Sequence, residues 1–572
     1  MAPLLKPLLF LSLLWTVSSL KVLMYNPRFG ISHVNFMGRL ADILVEEGID
    51  VTMFLPKINP KVVNNGSKLA KAVTVEGAPY TAEFFKDEAF LAHTWMNPFS
   101  NPWEHKKLMD MVTRVHAEQC EFTLSQKEVL EALKQKNFDL GISEIFDLCG
   151  MAIFEELGIK KHVLIGGMIW EKIADLFGAP NLPAAVPGLF NGVDNHMDYW
   201  GRAGNFLKVL FSKWWTNSMK EAEEAAAERA LGRRINFDKK MAEASFVITN
   251  ADPLLDFPRP ITERFVNIGG LCVPKPKPLD AYWEKVVTAR KATVLMSFGS
   301  VAQSFSMPKE IKKAILETFK RFPEVTFIWK YEKDEHEVAK GVPNVVTNKW
   351  VPQNDLLNHP NLKLFITHAG MNSISEVSRR GVPVITIPLF GDQQRNAAQV
   401  QRLGTGVIMD KADLFHSDKF EANIREVLEN PSYHDKAVRL SQMMAKWPKN
   451  QREQFVKYVQ FAGEFGHLPE YSIPEVSFVQ YYMLDILVPF FVVVLTIFVS
   501  VPYLTFKCLA KIFAGEFGHL PEYSIPEVPF VQYYMLDILV PFFVVVLTIL
   551  ILVPYLMFKF LAKIVTRKVK TQ

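Results

Sequence analysis

The sequence contains little cysteine, little glycine and almost no net charge. Only 4 of its 572 residues are cysteine and 29 are glycine, which excludes disulfide-rich scaffolds and collagen-like repeats. The formal net charge of +4 lacks the basic excess of a dedicated nucleic-acid binder, so no nucleic-acid partner is expected. The chain does contain 49% apolar residues and has a mean hydropathy of +0.09. This composition is that of a globular protein, and the apolar excess lies at its two ends.

Two common nucleotide-binding motifs are also missing. No G-x-G-x-x-G follows a predicted strand, and no Walker A lysine is present. These absences argue against a dinucleotide-dependent dehydrogenase and against a P-loop NTPase.

The first 19 residues have the pattern of a secretory signal peptide. Lys6 precedes an apolar run from Leu8 to Val17, and Val17 and Ser19 are compact residues at the positions that a signal peptidase reads. The run is too short to span a bilayer, so we expect cleavage after Ser19 and export of the body. A lumenal body also suits the N-glycosylation sequon Asn65-Gly66-Ser67.

The C-terminal part is a duplicated membrane-anchor segment. Residues 461–512 (copy 1) recur almost unchanged as residues 513–564 (copy 2), and a basic tail, 565–572, follows. Each copy has an uncharged apolar stretch, 486–506 or 538–558, of about the 20 residues needed to cross a bilayer.

The duplication creates a conflict of topology. Two spans would return the basic tail to the lumen, against the positive-inside tendency, and would hide its Lys-x-Lys-x-x retrieval-like end from cytosolic coat proteins. Three explanations stay open: one copy does not span, the two copies form a re-entrant hairpin, or the repeat comes from exon duplication or from the joining of alternative exons.

The body between the two ends, residues 20–460, alternates β-rich runs with amphipathic helical stretches, which predicts parallel α/β sheets. The Pro-rich segment 273–280 is a stiff linker between a first domain, 20–272, and a second domain, 281–460. A helix is predicted to start near His33. The predicted strands are Lys21–Tyr25, Ile49–Leu55, Phe138–Ile142, His162–Ile165, Phe246–Thr249, Thr293–Ser297, Val325–Lys330, Leu364–Thr367 and Val382–Ile387.

One segment of the second domain has the features of an anion site. A strand ending at Thr367 leads through His368 and Gly370 into a helix that starts near Asn372 and Ser373. The first backbone N–H groups of such a helix have no partner within it, so they can bind a phosphate oxygen, and His368 can donate to the same anion.

Neighbouring side chains can recognise the other parts of a nucleotide sugar. Trp350 offers a flat face to a base, Gln353 a hydrogen-bonding amide, and Glu376 an acceptor for a ribose diol. Asp392 and Gln393 follow another strand and can bind sugar hydroxyls. Each residue alone is more often a turn or cap residue, and only their joint spacing indicates a site.

This set of residues closely resembles the donor-binding motif of the UDP-glycosyltransferases, in particular the membrane-bound UDP-glucuronosyltransferase-like branch of animals. The resemblance covers nearly the whole chain and leaves out only copy 2. It implies a GT-B fold, with an acceptor-binding Rossmann-like domain at 20–272, a UDP-sugar-binding Rossmann-like domain at 281–460 and a C-terminal transmembrane helix. The UDP-sugar contacts that it implies are Arg259, Ser300, Trp350, Gln353, His368, Gly370, Asn372, Ser373, Glu376, Asp392 and Gln393.

The resemblance also implies a catalytic pair. Gly30-Ile31-Ser32-His33 matches the family motif that holds the base, and an imidazole can take the proton of an attacking alcohol or phenol near neutral pH. The family orients this histidine with an aspartate, where this sequence has Glu144, one methylene longer. We expect Glu144 to take that role, with Asp147 as the alternative.

The implied reaction is an inverting transfer of glucuronic acid or glucose from a UDP-sugar to a hydroxyl or carboxyl of a small lipophilic acceptor. No Asp-x-Asp pair occurs, so neither a metal nor another cofactor is expected. The loops 97–103 and 179–190 are expected to line the acceptor cleft. The alternative hypothesis is a catalytically impaired homologue that binds UDP-sugar and regulates partners.

The implied setting is the endoplasmic reticulum membrane, with both catalytic domains in the lumen. Cys120, Cys149 and Cys272 would then be lumenal, and the sequence requires no disulfide among them. Whether the chain forms a homo-oligomer stays open.

Overall fold

A computed structural model of the protein describes residues 19–85, 94–96, 102–472, 477–481 and 483–516. Residues 1–18 of the predicted signal peptide, residues 97–101 of the predicted acceptor loop 97–103, most of copy 2 and the basic tail lie outside the described residues. The chain divides into two compact units, Met1–Ile473 and Pro474–Gln572.

The first domain of the first unit is built on a seven-stranded parallel sheet. Its strands are β1 (Lys21–Tyr25), β2 (Asp50–Pro56), β3 (Lys71–Val75), β4 (Leu140–Glu144), β5 (His162–Gly166), β6 (Val247–Thr249) and β7 (Phe265–Asn267). Their order is β3-β2-β1-β4-β5-β6-β7, in which the chain reverses direction across the sheet next to β1. Such a reversal opens a crevice at the carboxyl ends of β1 and β4.

Helices cover both faces of this sheet and bury its apolar strands. They are α1 (Ile31–Glu46), α2 (Pro79–Phe84), α3 (Pro102–Ser125), α4 (Lys127–Lys134), α5 (Gly150–Leu157), α6 (Glu171–Leu176), α7 (Tyr199–Leu231) and α8 (Phe237–Ala242). A disulfide joins Cys120 of α3 to Cys149, the residue before α5. The sequence analysis predicted no particular disulfide, and the structure shows this one.

The second domain repeats the plan with six parallel strands. They are β8 (Ala292–Ser297), β9 (Val325–Lys330), β10 (Val345–Asn348), β11 (Leu362–Thr367), β12 (Val384–Thr386) and β13 (Gly406–Ile408). The order is β10-β9-β8-β11-β12-β13. Its helices are α9 (Ala281–Val287), α10 (Lys309–Lys320), α11 (Gln353–Leu357), α12 (Met371–Arg380), α13 (Gln393–Leu403), α14 (Ser417–Glu429) and α15 (Pro431–Ala445).

The last helix of the first unit, α16 (Gln451–Phe465), returns to the first domain. Phe455 and Val459 are fully buried in the same apolar cluster as the residues of β1 and α1. Arg452 forms ion pairs with Glu46 and Glu47 at 2.8 and 2.7 Å. The chain therefore crosses from the second domain back to the first before it leaves the unit.

The second unit contains α17 (Phe478–Tyr481) and α18 (Leu484–Glu516). Within α18 the stretch Leu484–Leu509 is long and apolar enough to cross a membrane, and none of its most apolar window is buried by protein. It contains the predicted stretch 486–506 of copy 1, and prolines 489 and 502 lie inside the helix. The apolar stretch of copy 2, 538–558, lies outside the described residues, so the number of spans stays a prediction.

The structure confirms the predicted α/β architecture of two Rossmann-like domains. The strand predicted at Phe138–Ile142 lies two residues later, at Leu140–Glu144; the chain bends at Asp139, whose carboxylate accepts a hydrogen bond from the Lys21 backbone N–H. The helix predicted to start near His33 begins two residues earlier, at Ile31. Strands β3, β7, β10 and β13 were not predicted; three are short and the edge strand β3 is mostly exposed, so none shows a clear apolar pattern.

Candidate active site

The carboxyl ends of the two sheets meet between the domains. His33 lies in the first turn of α1, which follows β1, and Asp392 lies between β12 and α13 on the other domain. The Asp392 carboxylate is close enough to act on the charge of His33. The side chain of Asn250, which follows β6, donates to Asn372 at the start of α12 over 3.4 Å. Polar groups of both domains therefore line one interdomain site.

His33 and Glu144 form a close pair. The Nδ1 atom of His33 lies 2.5 Å from Oε1 of Glu144, the last residue of β4. The Glu144 side chain is 8% exposed, whereas His33 keeps 34% of its side chain exposed. With Nδ1 held by the carboxylate, Nε2 is the ring nitrogen left to act as a proton acceptor.

The surroundings of His33 have opposing effects on its pKa. Burial favours the neutral ring and lowers the pKa, but the Glu144 charge, its hydrogen bond and the Asp392 charge favour the protonated ring. The second set of effects is the larger, so the pKa of His33 is raised above its usual 6.5.

Asp147, the alternative partner of His33, faces a different histidine. Its Oδ2 lies 2.8 Å from Nδ1 of the fully buried His116. Glu223 of α7 lies beside this pair, and the ligand-type atoms of all three are within 4.8 Å of one another. Burial and the neighbouring Asp147 charge raise the pKa of Glu223 well above its usual value. Three such groups could hold a metal ion, so a metal-independent reaction stays a prediction.

The expected anion site is formed by the turn before α12. Gly370 caps this helix with an extended backbone, and no side chain of the described residues caps the first amides. The turn after β8 passes close to the His368 ring, and a Cβ on Gly299 would lie 2.7 Å from its Cε1. Gly299 also has a φ of +78°, so glycine is required there for two reasons.

His368 is neutral at physiological pH. Burial lowers its pKa to about 4, and the nearby Lys330 ammonium adds to that shift. Lys330, the last residue of β9, donates through Nζ to the backbone oxygen of Gly299 over 2.5 Å. The positive charge of this site therefore comes from Lys330, while a neutral His368 can donate one ring N–H.

The residues expected to hold the uridine lie together. The Gln353 amide donates to Glu376 over 2.7 Å and to the Ser373 hydroxyl over 3.2 Å. Trp350 lies just before them and is 68% exposed, with Lys330 Nζ 5.4 Å from its ring centroid. An exposed indole face next to paired polar groups suits a planar base followed by a ribose.

The remaining residues predicted to contact the donor differ in how far their side chains are buried. Asp392 accepts from the Asn396 amide over 2.8 Å, and burial raises its pKa. Gln393 is buried, and its amide oxygen accepts from the backbone N–H of residues 389 and 390, so only its nitrogen can meet a sugar. Ser300 is exposed in the turn after β8.

Arg259 lies against the first domain. Its guanidinium donates to the Asn181 side chain over 3.3 Å and to the backbone oxygen of Ile169 over 3.5 Å. Its Nε is buried, and no described residue offers it a hydrogen-bond acceptor. Burial and the nearby Arg395 charge lower the pKa of this group. A partly buried guanidinium with a donor that no described residue uses could bind a carboxylate ligand.

Aromatic rings form the first-domain wall beside His33. The Phe146 ring centroid lies 5.1 Å from that of His33 and 5.9 Å from that of Trp170. Further rings in contact with this set are Phe29, Phe85, Phe190 and Trp215. A wall of this kind would bind a flat apolar molecule next to the His33 nitrogen.

Comparison with known proteins identifies the family. A family model described as UDP-glucoronosyl and UDP-glucosyl transferase matches residues 21–520. The chain belongs to this UDP-glycosyltransferase family. UDP-glucuronosyltransferase 3A1 of Bos taurus is 30% identical over 475 residues, 82% of this chain and 89% of the bovine one. The Caenorhabditis elegans relative ugt-48 is 30% identical over 515 residues, 85% of this chain and 94% of its own.

Solved structures show that this UDP-glycosyltransferase has the GT-B fold. The glycotransferase of kitacinnamycin superposes with a TM-score of 0.53 at 18% identity, covering 78% of this chain and 97% of its own. Phytolacca americana UGT2 superposes with a TM-score of 0.52 at 16% identity, covering 78% and 100%. Family and fold together make the chain an enzyme that transfers sugar from a UDP-sugar, as the sequence predicted.

Sequence reasoning did not find two features of the UDP-glycosyltransferase site. Lys330 ends an apolar strand, and nothing in the sequence shows that it reaches Gly299 and Trp350. The second is a pair of interdomain salt bridges from the loop after β6, Asp256 to Arg395 and Asp252 to Arg379, both at 2.6 Å. The sequence held one indication that Lys330 has a role: a charged residue at the end of a buried strand is unusual.

Trp350→Ala is expected to raise the KM for the UDP-sugar about tenfold, because stacking of a base on an aromatic ring contributes about 1–3 kcal/mol. The indole is exposed, so thermal stability should not change. Steady-state kinetics with varied donor would measure the effect. Tyr282→Ala, another exposed aromatic of the second domain, is the matched control and should leave the donor KM unchanged. An unchanged KM in the Trp350 variant would remove Trp350 from the donor site.

Proposed function

We propose that this enzyme transfers a hexosyl group with inversion, using His33 as the base that deprotonates the acceptor. The observation that carries the proposal is the His33–Glu144 pair. This pair leaves Nε2 of His33 available as a proton acceptor, close to Asp392 of the second domain and to the aromatic wall of the first. A carboxylate in this position fixes the tautomer of the ring and stabilises the imidazolium that forms.

In the proposed reaction the acceptor oxygen attacks C1 of the sugar while His33 Nε2 takes its proton. The bond from C1 to the acceptor oxygen forms as the bond from C1 to the β-phosphate oxygen breaks, and UDP leaves with the electron pair. The leaving charge is stabilised by the first amides of α12, by an N–H of the neutral His368 and by the Lys330 ammonium. All of these groups belong to the protein, and we propose that no metal is needed.

The raised pKa of His33 predicts the pH dependence of the reaction. A protonated His33 cannot accept a proton, so kcat/KM should fall as the pH drops through a pKa above 6.5. Glu144→Gln removes the charge that raises this pKa, so the acid limb should move to lower pH while the plateau also falls. His368, with a pKa of about 4, should add no limb near neutral pH. If the acid limb of the Glu144→Gln profile lay at the same pH as that of the wild type, the assignment of this limb to His33 would be contradicted.

We propose a glucuronate or glucose donor and a small lipophilic acceptor with a hydroxyl or carboxyl. The aromatic wall supports the acceptor class, and Arg259, whose Nε has no acceptor in the part of the chain that the structure describes, supports a donor carboxylate. We therefore expect UDP-glucuronate to be used faster than UDP-glucose on one phenolic acceptor. Arg259→Leu should reverse that preference by lowering only the glucuronate rate, whereas an equal loss with both donors would assign Arg259 a structural role.

We propose that both catalytic domains lie in the lumen of the endoplasmic reticulum, held by the C-terminal anchor. The Cys120–Cys149 disulfide supports an oxidising compartment, because such bonds are rare in the reducing cytosol. The impaired-homologue hypothesis has less support, since Glu144 reaches His33 despite its extra methylene.

A further inference from the structure

Three titratable side chains that the proposed reaction does not use converge inside the first domain. They are His116 of α3, Asp147 of the loop that follows β4, and Glu223 of α7. Their ligand-type atoms lie within 4.8 Å of one another, and all three residues are buried. Because the three come from separate elements, only the folded chain forms this set, which we call the His116 cluster.

The His116 cluster holds two carboxylates and only one basic group. The Asp147 carboxylate pairs with His116, and no Lys or Arg among the described residues forms an ion pair with Asp147 or Glu223. Burying two negative charges without compensation is costly, so a folded protein neutralises them with a proton or with a cation. The cluster therefore needs a positive species that no other side chain in the described part of the chain supplies.

Several polar atoms of the His116 cluster have unused bonding capacity. Both carboxylate oxygens of Glu223 and Nε2 of His116 are buried, and no described residue forms a hydrogen bond with them. The backbone N–H groups of Leu148 and Cys149 lie near enough to Glu223 to favour its charge, but neither makes a hydrogen bond of normal geometry with it. Buried polar atoms are paired in nearly all folded proteins, so unused atoms in one cluster indicate a ligand.

We propose that the His116 cluster binds a zinc ion. An imidazole nitrogen and two carboxylate oxygens are ligands that zinc takes in proteins, at about 2.0–2.2 Å from the ion. Two ligands of one tetrahedral zinc are then about 3.3 Å apart. Small rotations of the Asp147 and Glu223 side chains would bring the three ligand atoms to that spacing.

The surroundings of the cluster suit an ion that is held permanently. The hydroxyl of Tyr25 is buried close to both carboxylates and could take the fourth position of a tetrahedral ion. The rings of Phe29 and Phe146 lie 5.0 and 5.3 Å from the His116 ring. Because the site is buried and walled by rings, we expect the ion to bind as the chain folds and to leave only when it unfolds.

The ion would have a structural role. It would join α3, α7 and the loop that follows β4, and the Cys120–Cys149 disulfide joins two of these segments one helical turn along α3 from His116. None of the three ligands takes part in the proposed sugar transfer, so that reaction still needs no metal in its catalytic step. The inference therefore does not rest on the proposed function.

Metal analysis of the full chain, purified in detergent from cells grown with added zinc, tests the proposal. After dialysis against a chelator we expect about one zinc per wild-type chain by mass spectrometry, and loss of most of it in Glu223→Gln and in His116→Gln. Glu224→Gln is the matched control and should keep the zinc. Glu224 is the next residue of α7 and is also buried, but its carboxylate accepts from the Phe237 backbone N–H over 2.8 Å.

Thermal unfolding of the wild type gives a second measurement, which holds even if a buried variant fails to fold. A chelator present during unfolding should lower the Tm of the wild type by several degrees, because an ion that binds only the folded chain stabilises it. The same chelator should leave the Tm of Glu223→Gln unchanged and should lower that of Glu224→Gln as it does that of the wild type.

Two results would overturn the proposal. The first is a wild type that carries no zinc and whose Tm neither added zinc nor a chelator changes; if Glu223→Gln then raises that Tm, the two carboxylates share a proton instead of a metal ion. The second is a Glu223→Gln variant that carries as much zinc as the wild type, since the zinc would then be bound elsewhere. Metal content needs no turnover, so an inactive protein that holds zinc would contradict the proposed function and leave the metal site intact.

Discussion

His33→Ala should lower kcat by about 10²–10⁴-fold, the usual contribution of a positioned general base. The ring is partly exposed and sits in the first turn of α1, so its removal should leave the fold and UDP binding intact. UDP release in the presence of a panel of phenols would measure kcat, and calorimetric titration with UDP would measure donor binding. His434→Ala, an exposed histidine of the second domain, is the matched control.

Variants of Glu144 separate the role of the carboxylate from that of the ring. Glu144→Gln keeps the size of the side chain but not the charge, so it should retain part of the turnover and show the shifted acid limb described above. Asp147→Asn should affect stability more than kcat, because Asp147 pairs with the buried His116 rather than with His33. Normal turnover in His33→Ala would refute the base assignment, and no turnover in the wild type with any phenol would support the impaired-homologue hypothesis.

Removal of the Cys120–Cys149 disulfide should lower the free energy of unfolding by about 3 kcal/mol. The bond closes a loop with a sequence separation of 29, and both sulfurs are fully buried between α3 and the loop that follows β4. Cys120→Ala/Cys149→Ala, followed by thermal and urea unfolding, measures the loss. Cys272→Ala is the matched control, since Cys272 forms no disulfide and burial raises its thiol pKa to about 12.

The same disulfide supports the geometry of the active site. Cys149 donates its backbone N–H to Asp147 over 3.0 Å, in the loop that continues directly from Glu144. The double cysteine variant should therefore lose turnover as well as stability, and dithiothreitol should reproduce both losses in the wild type. Equal stability of the wild type and the double variant would show that the bond does not form in the protein as expressed.

Much of the fold followed from local pattern. Strands β1 and β9 were predicted with the bounds that the structure shows, because each is an apolar run with clear breaks on both sides. The edge strand β3 was missed because most of its residues are exposed and show no apolar run. The prediction that the strand ends at Ile142 was wrong because Ser143 and Glu144 continue it by pairing with Leu164 and Ile165 of β5, a contact between two separate strands.

The sequence by itself determined the family, the two-domain α/β plan, the apolar anchor segment and the identity of the residues with suitable chemistry. These depend on residue type and spacing along the chain. Only the tertiary structure decided that Glu144 contacts His33 while Asp147 contacts His116, that Lys330 reaches the turn at Gly299, and that Cys120 pairs with Cys149. Each of these depends on distances between segments remote in sequence, which packing fixes and residue order does not.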